Sequence, residues 1–131
     1  MKDNIIKDKS IEFAIRIVNL YKYLLERSEF VLSKQVLRSG TSIGANISEA
    51  VRAESDKDFI HKLSISRKEC SETLYWIELL HRSEYITAVQ YESIKNDCEE
   101  LLKILTAIIL SSKKRRKLKH LIRRDSKICK M

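Results

Sequence analysis

Proline is absent from all 131 residues, and glycine occurs only at Gly40 and Gly44. A sheet needs tight turns, and a chain without their usual residues cannot readily build them. The sequence is therefore expected to be all-α. The length fits one domain with a real core and is too short for two.

Apolar residues recur at helical spacing in four stretches. Ser10 is the expected N-cap of the first, where Ile11, Ala14, Val18, Tyr21 and Leu25 form one stripe and Phe13, Ile17, Leu20 and Leu24 a second beside it. Glu12 and Arg16 are expected to pair at i,i+4 outside that face. Ser33 can cap a second helix with the stripe Val36, Gly40, Ile43, Ile47 and Ala50. Its centre, Ser39-Gly40-Thr41-Ser42, has poor helix propensity, so either a neighbouring helix approaches closely over Gly40, Gly44 and Ala45 or the helix kinks there.

Ser55-Asp56-Lys57-Asp58 approximates a capping box for a third helix, whose seam is Phe59, Leu63, Ser66, Cys70, Leu74 or Thr73, Ile77 and Leu80. Thr87-Ala88-Val89-Gln90 is a better box, followed by Tyr91, Ile94, Cys98, Leu101, Leu105 and Ile108. Glu99 and Lys103 are placed to pair on the outside of this fourth helix. The links near 28–33, 53–55 and 83–87 are short, which predicts an antiparallel up-down-up-down four-helix bundle. The expected organisation is an N-terminal extension over 1–9, the bundle over 10–112, and a basic tail or helix extension over 113–131. Leu102, Ile104, Ile109 and Leu110 add apolar surface beside the fourth seam, and self-association is the simplest inference.

The second and third helices carry a recognisable pattern. Gln35 to Ala50 reads QVLRSGTSIGANISEA, and Lys68-Glu69 is followed by Glu72-Thr73-Leu74-Tyr75-Trp76. Over about residues 8–112 the chain resembles the four-helix bundle proteins encoded in intervening sequences of bacterial 23S ribosomal RNA genes. It is similar also to the accessory protein of diversity-generating retroelements. The resemblance implies a homopentameric ring, and by the second likeness a basic pentamer that binds nucleic acid and a reverse transcriptase. It implies no catalytic residue. Ala50 stands where glycine is frequent in the family, and the C-terminal segment runs past the usual end.

The motif's polar residues allow a structural reading. Arg38 can pair with Glu69 or Glu72 across neighbouring helices, fixing register or partner choice. Asn46, within a helix, needs a partner. Arg38, Gly40, Gly44, Asn46, Glu49, Glu69, Glu72 and Trp76 are thus assigned to bundle or ring assembly, with a functional surface as the alternative.

Charge divides the chain. Residues 111–131 carry ten Lys or Arg against Asp125 alone, whereas residues 1–110 carry sixteen basic and seventeen acidic side chains. Lys113, Lys114, Arg115, Arg116, Lys117, Lys119, Arg123 and Arg124 are the expected phosphate contacts, with RNA the favoured ligand. Leu118, Leu121, Ile122 and Ile128 recur at helical spacing, so the segment either prolongs the fourth helix or forms a short basic amphipathic one. A solubilising disordered tail and an anionic membrane surface are the competing readings. The segment has no aromatic residue, which argues against base stacking and deep membrane insertion alike.

Catalytic constellations are weak. Glu78-Leu79-Leu80-His81 has the spacing of a di-iron ligand pair, but its only counterpart, Asp58-Phe59-Ile60-His61, lies on the same helix about 30 Å away. Arg115 to His120 formally matches the Arg-x4–6-His signature of HEPN-type RNases, as chance predicts in so basic a segment. No catalytic residue, metal or cofactor is therefore expected. Residues 1–8 hold no apolar run of signal-peptide length, and the longest apolar stretch, Ile104 to Leu110, is too short to span a bilayer. Cys70, Cys98 and Cys129 are odd in number and widely spaced, as free thiols in a reducing cytoplasm would be. The expectation is a cytoplasmic, non-catalytic, self-associating scaffold for nucleic acid. The alternative is a protein-interaction module, for instance a polymerase partner, with an incidental tail.

Overall fold

The computed structural model describes residues 2–129, with side chains from Ile5 to Lys127. The described residues form four helices and no strand: α1 (Lys2–Glu26), α2 (Leu32–Val51), α3 (Asp56–Arg82) and α4 (Ala88–Cys129). They make a four-helix bundle, in which α1 packs on α2, α2 on α3, α3 on α4, and α4 closes against α1.

Ser10 does not start α1. The helix begins at Lys2, and Ser10 is buried inside it with its hydroxyl donating to the Lys7 carbonyl at 2.7 Å. The cause lies in the second apolar stripe, which extends backwards: Ile6, Ser10, Phe13, Ile17, Leu20 and Leu24 are all buried. Burying Ile6 against the core draws the preceding residues into the helix. Residues 1–9 are therefore no separate extension over their described part. The stripe Ile11, Ala14, Val18, Tyr21 and Leu25 is only partly covered, and Ile11 remains exposed.

α2 is capped from outside its own first turn. Ser33 is buried with its hydroxyl unpartnered, and the carboxylate of buried Glu29 instead accepts from the backbone N–H groups of Val31 (2.7 Å), Leu32 (2.8 Å) and Ser33 (3.1 Å). Those donors are otherwise orphaned at a helix start, and a carboxylate is the favoured group there. The links that enter α2 and α4 each contain one residue in the left-handed region, Ser28 (φ 60°) and Glu84 (φ 67°). Each lets the next N–H reach back to close the preceding helix, Glu29 to the Leu24 carbonyl and Tyr85 to the Leu80 carbonyl, both at 2.9 Å.

The close approach at Gly40 is real. A Cβ there would sit 2.7 Å from the Ile17 Cγ1 and 2.8 Å from its Cγ2, and α2 runs unbroken through both glycines. Small polar side chains do the same work between α2 and α3: the Thr73 and Ser39 hydroxyls are hydrogen bonded at 2.9 Å, and Ser66 donates to the Ile43 carbonyl at 2.8 Å. Thr73, not Leu74, is thus the seam residue. The remaining caps match their boxes. Asp58 N–H donates to Ser55 at 3.1 Å, and Thr87 and Gln90 satisfy each other's backbone N–H at 2.8 and 3.2 Å. On α4, Ile109 is 1% exposed and belongs to the core, whereas Leu102 and Ile104 are half-buried and Leu110 is exposed.

Candidate nucleic-acid interface

α4 has 42 residues and runs about 63 Å without a break. Ser112 is its last buried described residue, and the segment beyond it continues the same helix to Cys129. Nucleation, the costly step, is already complete in the bundle, so the basic segment need only propagate. Without that continuity its like charges at i,i+4, Lys113 with Lys117 and Lys119 with Arg123, would work against a helix.

Eight side chains were expected to meet phosphate. All eight lie on this projecting helix, seven of them exposed and Arg116 half-buried. At 100° per residue six of them fall into two groups: Arg116, Lys119 and Arg123 share the side that continues the core face of α4, and Lys113, Lys117 and Arg124 occupy the adjoining face. Leu118, Leu121 and Ile122 lie on the far side, 57%, 49% and 59% exposed. The side chains of Ile128 and Cys129 fall outside the described residues.

The basic helix is moored to the body. Lys119 Nζ lies 2.9 Å from the Asp56 carboxylate at the start of α3, whereas Arg115 makes a contact within α4, to the Ser112 hydroxyl at 3.4 Å. The hydrogen bond and charge of Lys119, with Arg115 and Arg116 adding to them, hold the Asp56 carboxyl below its ordinary range. Between the α3 start and the basic helix lies a cleft of about 250 Å³, lined by Asp56, Lys57, Arg116, Lys119, His120 and Arg123. Sequence spacing brought no residue of the α3 start to this interface, because Lys57 is about sixty positions from its new neighbours and only the packing of α4 over α3 joins them.

The motif residues sit elsewhere, along the α2–α3 face. Arg38 pairs with both Glu72 and Glu69, the latter at 3.4 Å, as its spacing suggested. The Arg38 side chain is half exposed rather than buried, so the pairing contributes at most about 1 kcal/mol. Glu49 holds Lys62 at 3.0 Å, and that contact raises the lysine's pKa. Asn46 finds its partner within α2, donating to the Ser42 carbonyl at 2.8 Å. Trp76 lies half-buried, edge-on to Tyr75, and its Nε1 is buried without a partner among the described residues.

Two expected surface pairs are replaced by ties between helices. Arg16 leaves Glu12 for Asp97 (2.6 Å) and the Ser93 carbonyl (3.2 Å), and Glu100 rather than Glu99 pairs, with Lys9 at 2.6 Å. Hydrogen bonding to Glu100 raises the Lys9 pKa.

The family pattern for 23S rRNA-intervening sequence proteins matches residues 2–107, nearly all of the buried bundle. The chain belongs to the 23S rRNA-intervening sequence protein family. It is also similar to a protein of unknown function from the S23 ribosomal protein family of Bacteroides thetaiotaomicron VPI-5482, whose crystal structure was determined at 1.70 Å resolution. The two are 66% identical over 83% of this chain and 98% of that one, with a TM-score of 0.82. Comparison with curated proteins finds no match. The basic helix from Lys113 onward lies beyond the matched residues of this intervening-sequence protein.

The other candidate groups have local occupations. Glu78 lies 3.8 Å from Arg82, and His81 stacks on Tyr91 at 4.5 Å between ring centroids. No group of three or more His, Cys, Asp or Glu among the described residues is placed to hold a metal ion. Cys98 donates to the Cys70 carbonyl at 3.5 Å, and contact with Cys70 together with burial pushes its thiol far up, away from thiolate chemistry. Among the described residues no helix is long and apolar enough to cross a membrane.

Proposed function

We propose that this intervening-sequence protein is a non-catalytic, cytoplasmic, self-associating scaffold that binds nucleic acid, RNA by preference, through the basic half of α4. The observation that carries this reading is a helix that projects beyond the core and exposes eight Lys or Arg side chains between Lys113 and Lys127 against one acidic residue, Asp125. Such a surface meets phosphate oxygens and reads charge and shape rather than base edges. Full-length protein should bind a fluorescent 20-nucleotide RNA with an affinity that falls steeply with salt. Protein ending at Ser112 should lose at least about 100-fold. Undiminished affinity in the truncated protein rejects the basic helix as the site.

For the bundle we propose the antiparallel up-down-up-down path. The cross-links support it: Lys9 meets Glu100 and Arg16 meets Asp97, and Thr73 meets Ser39 while Ser66 meets Ile43, so numbering rises on one helix as it falls on its neighbour. Self-association, with a ring of five as the number the resemblance implies, is supported by an apolar groove between α1 and α2. It measures about 470 Å³ and includes Ile11, Ala14, Ile15, Val18 and Ala45, with Ile11 and Ile15 about half exposed. The same groove favours the second reading, a module that docks another protein there. Light scattering distinguishes the two, since a monomer would leave the groove open to a foreign partner.

A further inference from the structure

We infer that the cleft between the start of α3 and the basic helix is a phosphate seat for the bound polynucleotide, occupied in the free protein by the Asp56 carboxylate as an internal stand-in. The inference rests on the proposed nucleic-acid reading and adds to it a residue from the body, Lys57, and an internal competitor. Four cationic side chains from two helices, Lys57, Arg116, Lys119 and Arg123, line one concavity, together with His120. Asp56 is the sole carboxylate in that lining, and it has Lys119 at 2.9 Å. Both partners of this pair are roughly half exposed, so little net energy holds it closed against a competing anion. At about 250 Å³ the cleft has room for a phosphate and several waters, each taking about 30 Å³. A backbone phosphodiester matches a carboxylate in carrying one negative charge over two oxygens, and its advantage is that it is presented on a strand that the neighbouring Lys113, Lys117 and Arg124 also attract.

The chemistry sets two opposite expectations for substitutions at the adjacent positions 56 and 57: removing a negative charge from the seat helps, and removing a positive one hurts. Asp56→Asn frees Lys119 and should tighten binding of the 20-nucleotide RNA about 3- to 10-fold at moderate salt. Lys57→Glu should weaken it by a similar factor and make the salt dependence shallower by about one phosphate contact. Lys34→Glu, the same charge change at an exposed position near the other end of α2, controls for long-range electrostatics and should stay within about twofold of the unaltered protein. Anisotropy titrations of the full chain read all three, with gel filtration confirming that each variant retains the parent elution. Equal affinity for Asp56→Asn and the unaltered protein, or equal losses for Lys57→Glu and Lys34→Glu, overturns the seat while leaving tail binding intact. Absence of RNA binding by the unaltered protein overturns both.

Discussion

The two halves of α4 share one backbone helix and stand in opposite relations to water. Between Ile94 and Ser112 it buries Ile94, Cys98, Leu101, Leu105, Ile108 and Ile109 in the bundle. From Lys113 to Lys127 nothing is buried, and a single ion pair between described side chains, Lys119 with Asp56, ties the segment to another helix. Helix formation and burial are thus separable. The first half is stabilised by what it packs against, and the second continues a helix already nucleated. Stability and binding should divide along the same line.

The largest expected effect tests the buried half. Leu105 is fully enclosed, so Leu105→Ala leaves a cavity and should destabilise the protein by about 2–5 kcal/mol in urea unfolding. RNA affinity measured on the folded variant should be unchanged. A parallel loss of affinity would mean that the two halves are energetically coupled. Next in size is removal of the exposed half. Ending the chain at Ser112 should cost about 100-fold in RNA affinity, or about 2.8 kcal/mol, with unfolding free energy altered by less than about 1 kcal/mol. A large drop in stability would show that the basic helix supports the bundle.

A finer contrast lies within α2. Gly40→Ala gains about 1 kcal/mol of helix propensity but drives a methyl group into buried Ile17, where overpacking costs about 1–3 kcal/mol. A net loss of about 1 kcal/mol is expected. At Gly44 the nearest atom is the Ser10 hydroxyl oxygen at 3.2 Å, a contact that needs only a small adjustment. Gly44→Ala should therefore fall within about 0.5 kcal/mol of the parent in the same unfolding measurement. Equal effects at the two positions would remove the distinction between an essential close approach and an incidental one.

These sites also mark how far the sequence could be read. Helical periodicity located all four helices and most of the core, and the boxes at Ser55 and Thr87-Gln90 form as their spacing suggests. Ser10 and Ser33 misled because a small hydroxyl can cap a helix or line a close-packed seam, and local sequence does not distinguish the two. The series from Ile6 to Leu24 carried the correct signal for α1. Glu29 escaped notice because its cap comes from the preceding link, where a left-handed Ser28 turns the chain back. At the candidate interface the cations of α4 were plain in the composition. The cleft was not, since Asp56 and Lys57 join it only through the packing of distant elements. Arg38 shows the middle case: spacing named its partners, but their exposure depended on the crossing of α2 and α3.

The smallest effect concerns the tie between the two regions. Asp56 has its pKa lowered by the hydrogen bond and charge of Lys119, with Arg115 and Arg116 contributing. A carboxyl whose folded pKa is depressed stabilises the folded form fully above its ordinary value, here 3.8, and that contribution is lost as pH falls through the lower folded value. The tie should therefore be indifferent to pH from neutrality down to about 5 and should open only in stronger acid. The side-chain carboxyl carbon of Asp56, followed by NMR, should titrate with a midpoint below 3.8 in the full chain. In Lys119→Ala the midpoint should move up towards that ordinary value, because the largest cause of the shift is gone while the weaker influence of Arg115 and Arg116 remains. An unchanged midpoint in Lys119→Ala would mean that the two residues do not meet in solution, and the basic helix would then stand free of the body.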